Sequence, residues 1–181
     1  RAPEIDSHAE IERRLTLLED KVTAAAAAVE LGKRNTEILR ILKLDRHMYC
    51  FGSEDTRDIF KRLMLECGFH WKHPLVWDKM NWTAGDLEGD YGRQYELVYF
   101  AHKGRRALLG GKRPGNIIRV SRGSGGEFDH PTQKPVNLLA WLMKNSTLPV
   151  ELILDPFSGT GRTGMAAEEL GLRFINIEIE E

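Results

Sequence analysis

The chain of 181 residues carries 26 Lys and Arg against 27 Asp and Glu, is 41 % hydrophobic, and has two Cys and seven Pro. A length in the usual domain range of about 100–200 residues lets one core bury roughly two-thirds of the unfolded surface, so stability requires neither disulfides nor a structural metal, and the apolar content is too high for a disordered chain. No run of about 18 apolar residues is present to span a membrane, the first residues lack the apolar run of a secretory signal, and Cys50 and Cys67 are too few for a disulfide scaffold, which together lead to the expectation of a reducing, cytoplasmic setting.

In chain order, Asp6 or Ser7 caps a first helix, Glu10 is the capping-box partner of Ser7, and Ile11, Leu15, Leu18, Val22, Ala25 and Val29 form a heptad-like stripe that Gly32 is expected to end. Such a stripe either packs on its own domain or seams with a second copy in a homodimer. Ile38 to Leu42 read as the end of a helix, and His47 to Phe51 as a short strand stopping at Gly52-Ser53. Asp58 to Cys67 reads as a helix with Ile59, Phe60, Leu63 and Met64 on one face, closed by Gly68. Leu75 to Trp77, Glu96 to Phe100 and Asn116 to Val120 are strand candidates. From Pro135 the order is a helix (Val136 to Met143), a strand (Glu151 to Leu154), a glycine-containing turn, a helix (Thr163 to Leu170) and a strand (Arg173 to Ile177). Strands alternating with helices predict an α/β fold, a parallel sheet covered on both faces.

The near-neutral balance averages unlike parts. Ala101 to Arg122 holds Lys103, Arg105, Arg106, Lys112, Arg113, Arg119 and Arg122 and no acid, whereas the chain before Gly32 and the chain after Asn145 are acidic. A glycine-rich segment with seven uncompensated cations has the character of a surface that follows a phosphate backbone; a solvated cationic loop is the plainer alternative.

The most informative segment runs from Leu152 to Gly164. An apolar strand enters a turn with glycines at 159, 161 and 164 and then a helix, so peptide N–H groups and the positive helix end face a ligand at the strand's carboxyl edge. A nucleoside-binding fold of this kind places an acid about 20 residues further on, and Glu178 stands there to accept from the ribose hydroxyls. Asp155 at the strand end disfavours a pyrophosphate and favours a cationic ammonium or sulfonium. An amino-acid nucleoside and a nicotinamide dinucleotide thus remain open, the second as a nucleotide-dependent oxidoreductase.

Asp155-Pro156-Phe157-Ser158-Gly159-Thr160-Gly161, preceded by His130-Pro131-Thr132-Gln133-Lys134-Pro135, resembles the paired S-adenosylmethionine motifs of the DNA amino-methyltransferases that modify adenine N6 or cytosine N4. The order is that of the beta-type arrangement, in which the catalytic half and target-recognition region precede the cofactor half. Val76-Trp77-Asp78-Lys79, Tyr95 to Phe100 and Phe51-Gly52-Ser53 are similar to strands of that catalytic half, so the resemblance covers about Asn35 to Glu181.

The resemblance implies a Rossmann-like methyltransferase fold with a seven-stranded, mixed, mostly parallel sheet and helices on both faces. It divides the chain into an N-terminal helix (1–34), catalytic-half elements (35–79), a target-recognition and basic loop region (80–129) and a cofactor-binding half (130–181). It implies that Thr132, Gln133, Lys134 and Pro135 line the methionine end of S-adenosylmethionine, that Asp155, Pro156, Phe157, Ser158, Gly159, Thr160 and Gly161 hold its amino-acid part, and that Glu178 binds its ribose. Double-stranded DNA is the implied partner, in a bacterial or phage restriction-modification setting and with adenine N6 ahead of cytosine N4. Arg93, Lys103, Arg105, Arg106, Lys112 and Arg113 are the candidate contacts to phosphates or guanine edges, and Trp82, Tyr91 and Tyr95 the candidates for base stacking.

One departure matters. The family's transfer loop, Asp/Ser/Asn-Pro-Pro-Tyr/Phe, has no counterpart, because the chain contains no Pro-Pro pair. No catalytic residue is assigned, and two readings follow: part of an active methyltransferase, or an incompetent relative acting as a DNA- or protein-binding module. His70, Trp71 and His73 lack a Cys or carboxylate at ligand spacing, so no metal is expected.

Overall fold

A computed structural model describes residues 30–82, 88–122 and 133–178. The stripe from Ile11 to Val29 therefore lies outside the described residues, as do His130, Pro131 and Thr132. Helix α1 occupies residues 30–41, followed by β1 (Arg46–Gly52), α2 (Arg57–Cys67), β2 (His70–Trp71), β3 (Leu75–Asp78), β4 (Tyr95–Lys103) and β5 (Ile117–Arg119). The last third contributes α3 (Val136–Lys144), β6 (Leu152–Asp155), α4 (Arg162–Glu169) and β7 (Arg173–Asn176). Gly32 sits inside α1 instead of ending it, because its carbonyl accepts Thr36 Oγ1 at 3.0 Å and Cys67 Sγ at 3.6 Å, tying that turn to α2. The two-residue β2, paired with His102 and Ala101 of β4, is too short to leave a periodic signal.

Alternation along β1 and β4 builds two cores. Tyr49, Phe51, Val98 and Phe100 face α3 and pack with Leu75, Trp77, Ile118, Leu138 and Leu142. Met48, Cys50 and Ala101 point the other way, onto Met64 and Phe60 of α2 and Ile38, Leu39 and Leu42 of the α1 end. Helices therefore cover both faces of the sheet, as a two-sided apolar pattern demands. Of the face expected on α2, Leu63 and Met64 are buried and Ile59 stays exposed. Leu139, Ala140 and Met143 of α3 meet Ala166 and Ala167 of α4, so α3 serves both sheets with two faces of one helix.

The described strands form a five-stranded sheet, ordered β1-β4-β3-β5 with β2 also on β4, and a two-stranded parallel sheet, β6-β7. The sheet is mixed, as expected, but among the described residues antiparallel pairings outnumber parallel ones: β4 runs antiparallel to β1, β2 and β3, while β3-β5 and β6-β7 are parallel. The cause is β4, whose nine residues reach three residues further than the apolar pattern suggested, into His102 and Lys103, because β1 offers partners along its whole length.

Candidate cofactor site and nucleic-acid face

The turn between β6 and α4 is built as its glycines require. Gly159 and Gly161 adopt φ of +49° and +74°, conformations that favour glycine. A Cβ on Gly164 would stand 2.6 Å from both Asn176 Nδ2 and the Phe174 ring, so the third glycine lets α4 lie close on β7. Asp155 closes the turn. Its Oδ1 accepts the Phe157 N–H at 3.0 Å, its Oδ2 accepts the Thr163 hydroxyl, and its carbonyl accepts Ile177 N–H at 2.8 Å. Ser158 N–H in turn donates to the Ile177 carbonyl at 2.9 Å, which fastens the turn to the end of β7. There the carboxylate of Glu178 accepts the Gly159 N–H, so the acid found 19 residues along the chain stands against the turn. Phe157 projects from it with 56 % of its surface exposed and with the Arg34 guanidinium 5.4 Å above its ring. Pro156 and Ser158 are half-buried and Thr160 exposed.

Gln133 joins this turn from the other side. It is buried, and its Oε1 accepts Arg162 Nη2 at 3.0 Å. Pro135 is buried as the N-cap of α3, its carbonyl receiving Leu138 and Leu139 N–H. Lys134 reaches instead toward the large sheet, where its Nζ donates to Glu96 Oε2 at 2.6 Å and lies 5.1 and 5.6 Å from the Phe51 and Trp77 ring centres. Glu96, its second cation Lys79, and Thr163 were not singled out from the sequence. The segments holding Lys79 and Glu96 stood out only as similar to strands of the catalytic half.

The six candidate DNA contacts divide. Lys103 Nζ donates to the Leu39 and Leu42 carbonyls, each at 2.6 Å, and so ends α1. Arg106 forks onto Glu151 at 2.9 and 2.6 Å, joined by Arg46 at 2.8 Å. Burial tends to raise the Glu151 carboxyl pKa, but hydrogen bonds from Arg106 and the Leu148 N–H, with the charges of Arg106 and Arg46, hold it below the ordinary range. These two cations are committed inside the protein and leave the DNA-facing set. Arg105, Lys112 and Arg113 are exposed, and Arg93 is exposed beside Asp55 at 3.7 Å. Nearby, Trp82, Tyr91 and Tyr95 are 71 %, 96 % and 41 % exposed, and Trp82 packs on the backbone at Gly92. Among the described residues no group of three or more His, Cys, Asp or Glu is placed to hold a metal ion, and no helix is long and apolar enough to cross a membrane.

A glycine turn closed by Asp155 and faced by Glu178, on a parallel strand pair beside a mixed sheet with helices on both faces, belongs to a Rossmann-like α/β fold. Residues 19–181 match the model of the N6/N4 DNA methylase family, and the chain belongs to that family. Its members are S-adenosylmethionine-dependent enzymes acting on DNA. YubD of Escherichia coli (strain K12), which bears a methylase name, is 35 % identical over 145 residues, covering 80 % of this chain and 61 % of its own length. The type II methyltransferase M2.MboI of Moraxella bovis is 41 % identical over 85 residues, 45 % of this chain and 31 % of its own. The chain thus spans less than two-thirds of either relative. Among solved structures, the M1.HpyAVI complex with S-adenosylmethionine superposes with a TM-score of 0.74 at 27 % identity, over 84 % of this chain and 78 % of that one. The PvuII cytosine-N4 DNA methyltransferase shares the fold at 0.66 and 19 % identity, over 77 % and 61 %.

Proposed function

We propose that the protein transfers a methyl group from S-adenosylmethionine to the exocyclic amine of adenine (N6) or cytosine (N4) in duplex DNA, with the target base flipped out of the stack. The observation that carries this reading is the meeting of the Glu178 carboxylate with the Gly159 N–H at the mouth of the β6–α4 turn. S-adenosylmethionine supplies an electrophilic methyl on a sulfonium. Around it, Glu178 accepts from the ribose hydroxyls, Asp155 and the turn take the ammonium, Lys134 takes the carboxylate, Gln133 and Thr132 line the same end, and exposed Phe157 is an apolar wall. Arg93, Arg105, Lys112 and Arg113 meet phosphates, while Trp82, Tyr91 and Tyr95 offer rings to unpaired bases within the 80–129 region.

A second reading, a binding module without methyl transfer, has one observation in its favour: none of the 181 residues forms a Pro-Pro pair. Both readings require the cofactor site, and methyl incorporation into adenine- or cytosine-containing duplexes separates them. Titration calorimetry tests the site itself. S-adenosylmethionine should bind and NAD should not, and Asp155→Ala should weaken binding about tenfold or more through loss of a charge-assisted contact. Binding of NAD alone would reverse the conclusion.

A further inference from the structure

Two lysines converge on one carboxylate. Glu96 of β4 holds Lys134 Nζ with Oε2 at 2.6 Å and Lys79 Nζ with Oε1 at 3.6 Å. Among the described residues no second acid pairs with either lysine. The cluster therefore carries one surplus positive charge, set against the rings of Phe51 and Trp77. The Lys79 side chain is only 6 % exposed, while that of Lys134 is 23 % exposed, so an incoming group meets the surplus at Lys134. Lys134 also follows Gln133, whose amide oxygen is bonded to Arg162 at the start of α4, directly after the glycine turn.

Without Lys79, the Lys134–Glu96 pair would be neutral, and a ligand anion approaching Lys134 would meet the Glu96 charge directly behind it. With Lys79 present, a carboxylate at Lys134 completes a row of alternating signs: Lys79, Glu96, Lys134, ligand. The buried Lys79 and the half-buried Glu96 and Lys134 are partly withdrawn from water, where an unpaired charge is costly, which favours filling the last place with an anion. We propose that Lys79 is a positioning residue that neutralises Glu96, so that Glu96 can aim Lys134 without cancelling its charge toward a ligand carboxylate. The proposal rests on the reading of the turn as a site for S-adenosylmethionine, and the carboxylate is that of the amino-acid end.

The test compares S-adenosylmethionine with its decarboxylated form, which lacks only that carboxylate, by calorimetry on the full chain. Lys79→Gln should weaken S-adenosylmethionine about five- to tenfold and change the decarboxylated form less than about twofold. The double variant Lys79→Gln/Glu96→Gln returns one positive charge to Lys134 and should recover most of the affinity, a rescue that a merely structural role would not produce. Equal loss for both ligands, or no recovery in the double variant, overturns the proposal. So does a Lys79→Gln protein that keeps its S-adenosylmethionine affinity but loses affinity for a short DNA duplex, since the anion would then be a phosphate. Should Lys79→Gln fail to fold, Glu96→Gln decides: its amide oxygen still accepts from Lys134 and so keeps the aim, while the surplus rises to two, so it should bind S-adenosylmethionine at least as well as the parent, whereas a loss confined to that ligand contradicts the account. A parent protein that binds neither form removes the underlying reading of the site.

Discussion

His102 of β4 is a buried histidine, 7 % exposed. Among the described residues neither of its buried ring nitrogens has a hydrogen-bond partner, and the ring lies 4.5 Å from that of His47. Burial, and then the nearby His47, Lys72 and His70, hold its pKa down to about 4, and burial foremost also lowers that of His47. A folded-state value below the ordinary ~6.5 means that the unfolded chain binds the proton more readily. Stability is therefore complete above pH ~6.5 and declines as the pH falls toward 4, by up to about 2 kcal/mol from His102. Urea unfolding between pH 7.5 and 4.5 should show this decline, and His102→Phe, which keeps a ring among Phe100 and His47, should flatten it; parallel slopes in both proteins would contradict the assignment. At this scale the sequence was only partly legible. Asp155, Gly159, Gly161 and Glu178 stood out because strand, turn and acid lie at a short, fixed spacing. The partners of Lys103, Arg106 and Lys134 lie 38 to 64 residues away, and no local pattern encodes them.

Elements were legible where one face alone decides them. The helix α3 was readable from its apolar run, yet not that it would serve two sheets, since that depends on Ala166 and Ala167 arriving from a later helix. Gly32 shows the opposite failure: a local stop signal overridden by contacts with α2, through Thr36 and Cys67. The space there is ordinary, with a Cβ on Gly32 meeting Leu63 Cδ2 at 3.6 Å. Gly32→Ala should therefore stabilise the protein, by up to about 1 kcal/mol, since alanine loses less backbone freedom in a helix interior. A lowered melting temperature would mean that α1 needs a break at this point.

For the whole molecule, a formal charge of -1 concealed a basic segment between acidic ends, and folding divides that segment again. Arg105, Lys112 and Arg113 face solvent, while Arg106 is 10 % exposed on Glu151. Replacing the first three with Ala should reduce the slope of log affinity for DNA against log salt by about 2–3 and leave melting unchanged. Arg106→Ala should do the reverse, lowering stability by about 2 kcal/mol with little effect on the slope, because it strips a mostly buried carboxylate of one of two cations. An unchanged slope in the triple variant would remove the DNA face. The central claim, that a nucleoside-bearing methyl donor sits on the β6–α4 turn against Glu178, is tested most directly by following backbone amide signals during titration with S-adenosylmethionine. Shifts should concentrate at Asp155 to Gly161, at Ile177 and Glu178 and at Gln133 and Lys134, with Gly159 N–H among the largest as its bond to Glu178 is perturbed. Binding without change at Gly159 and Glu178 would contradict the account.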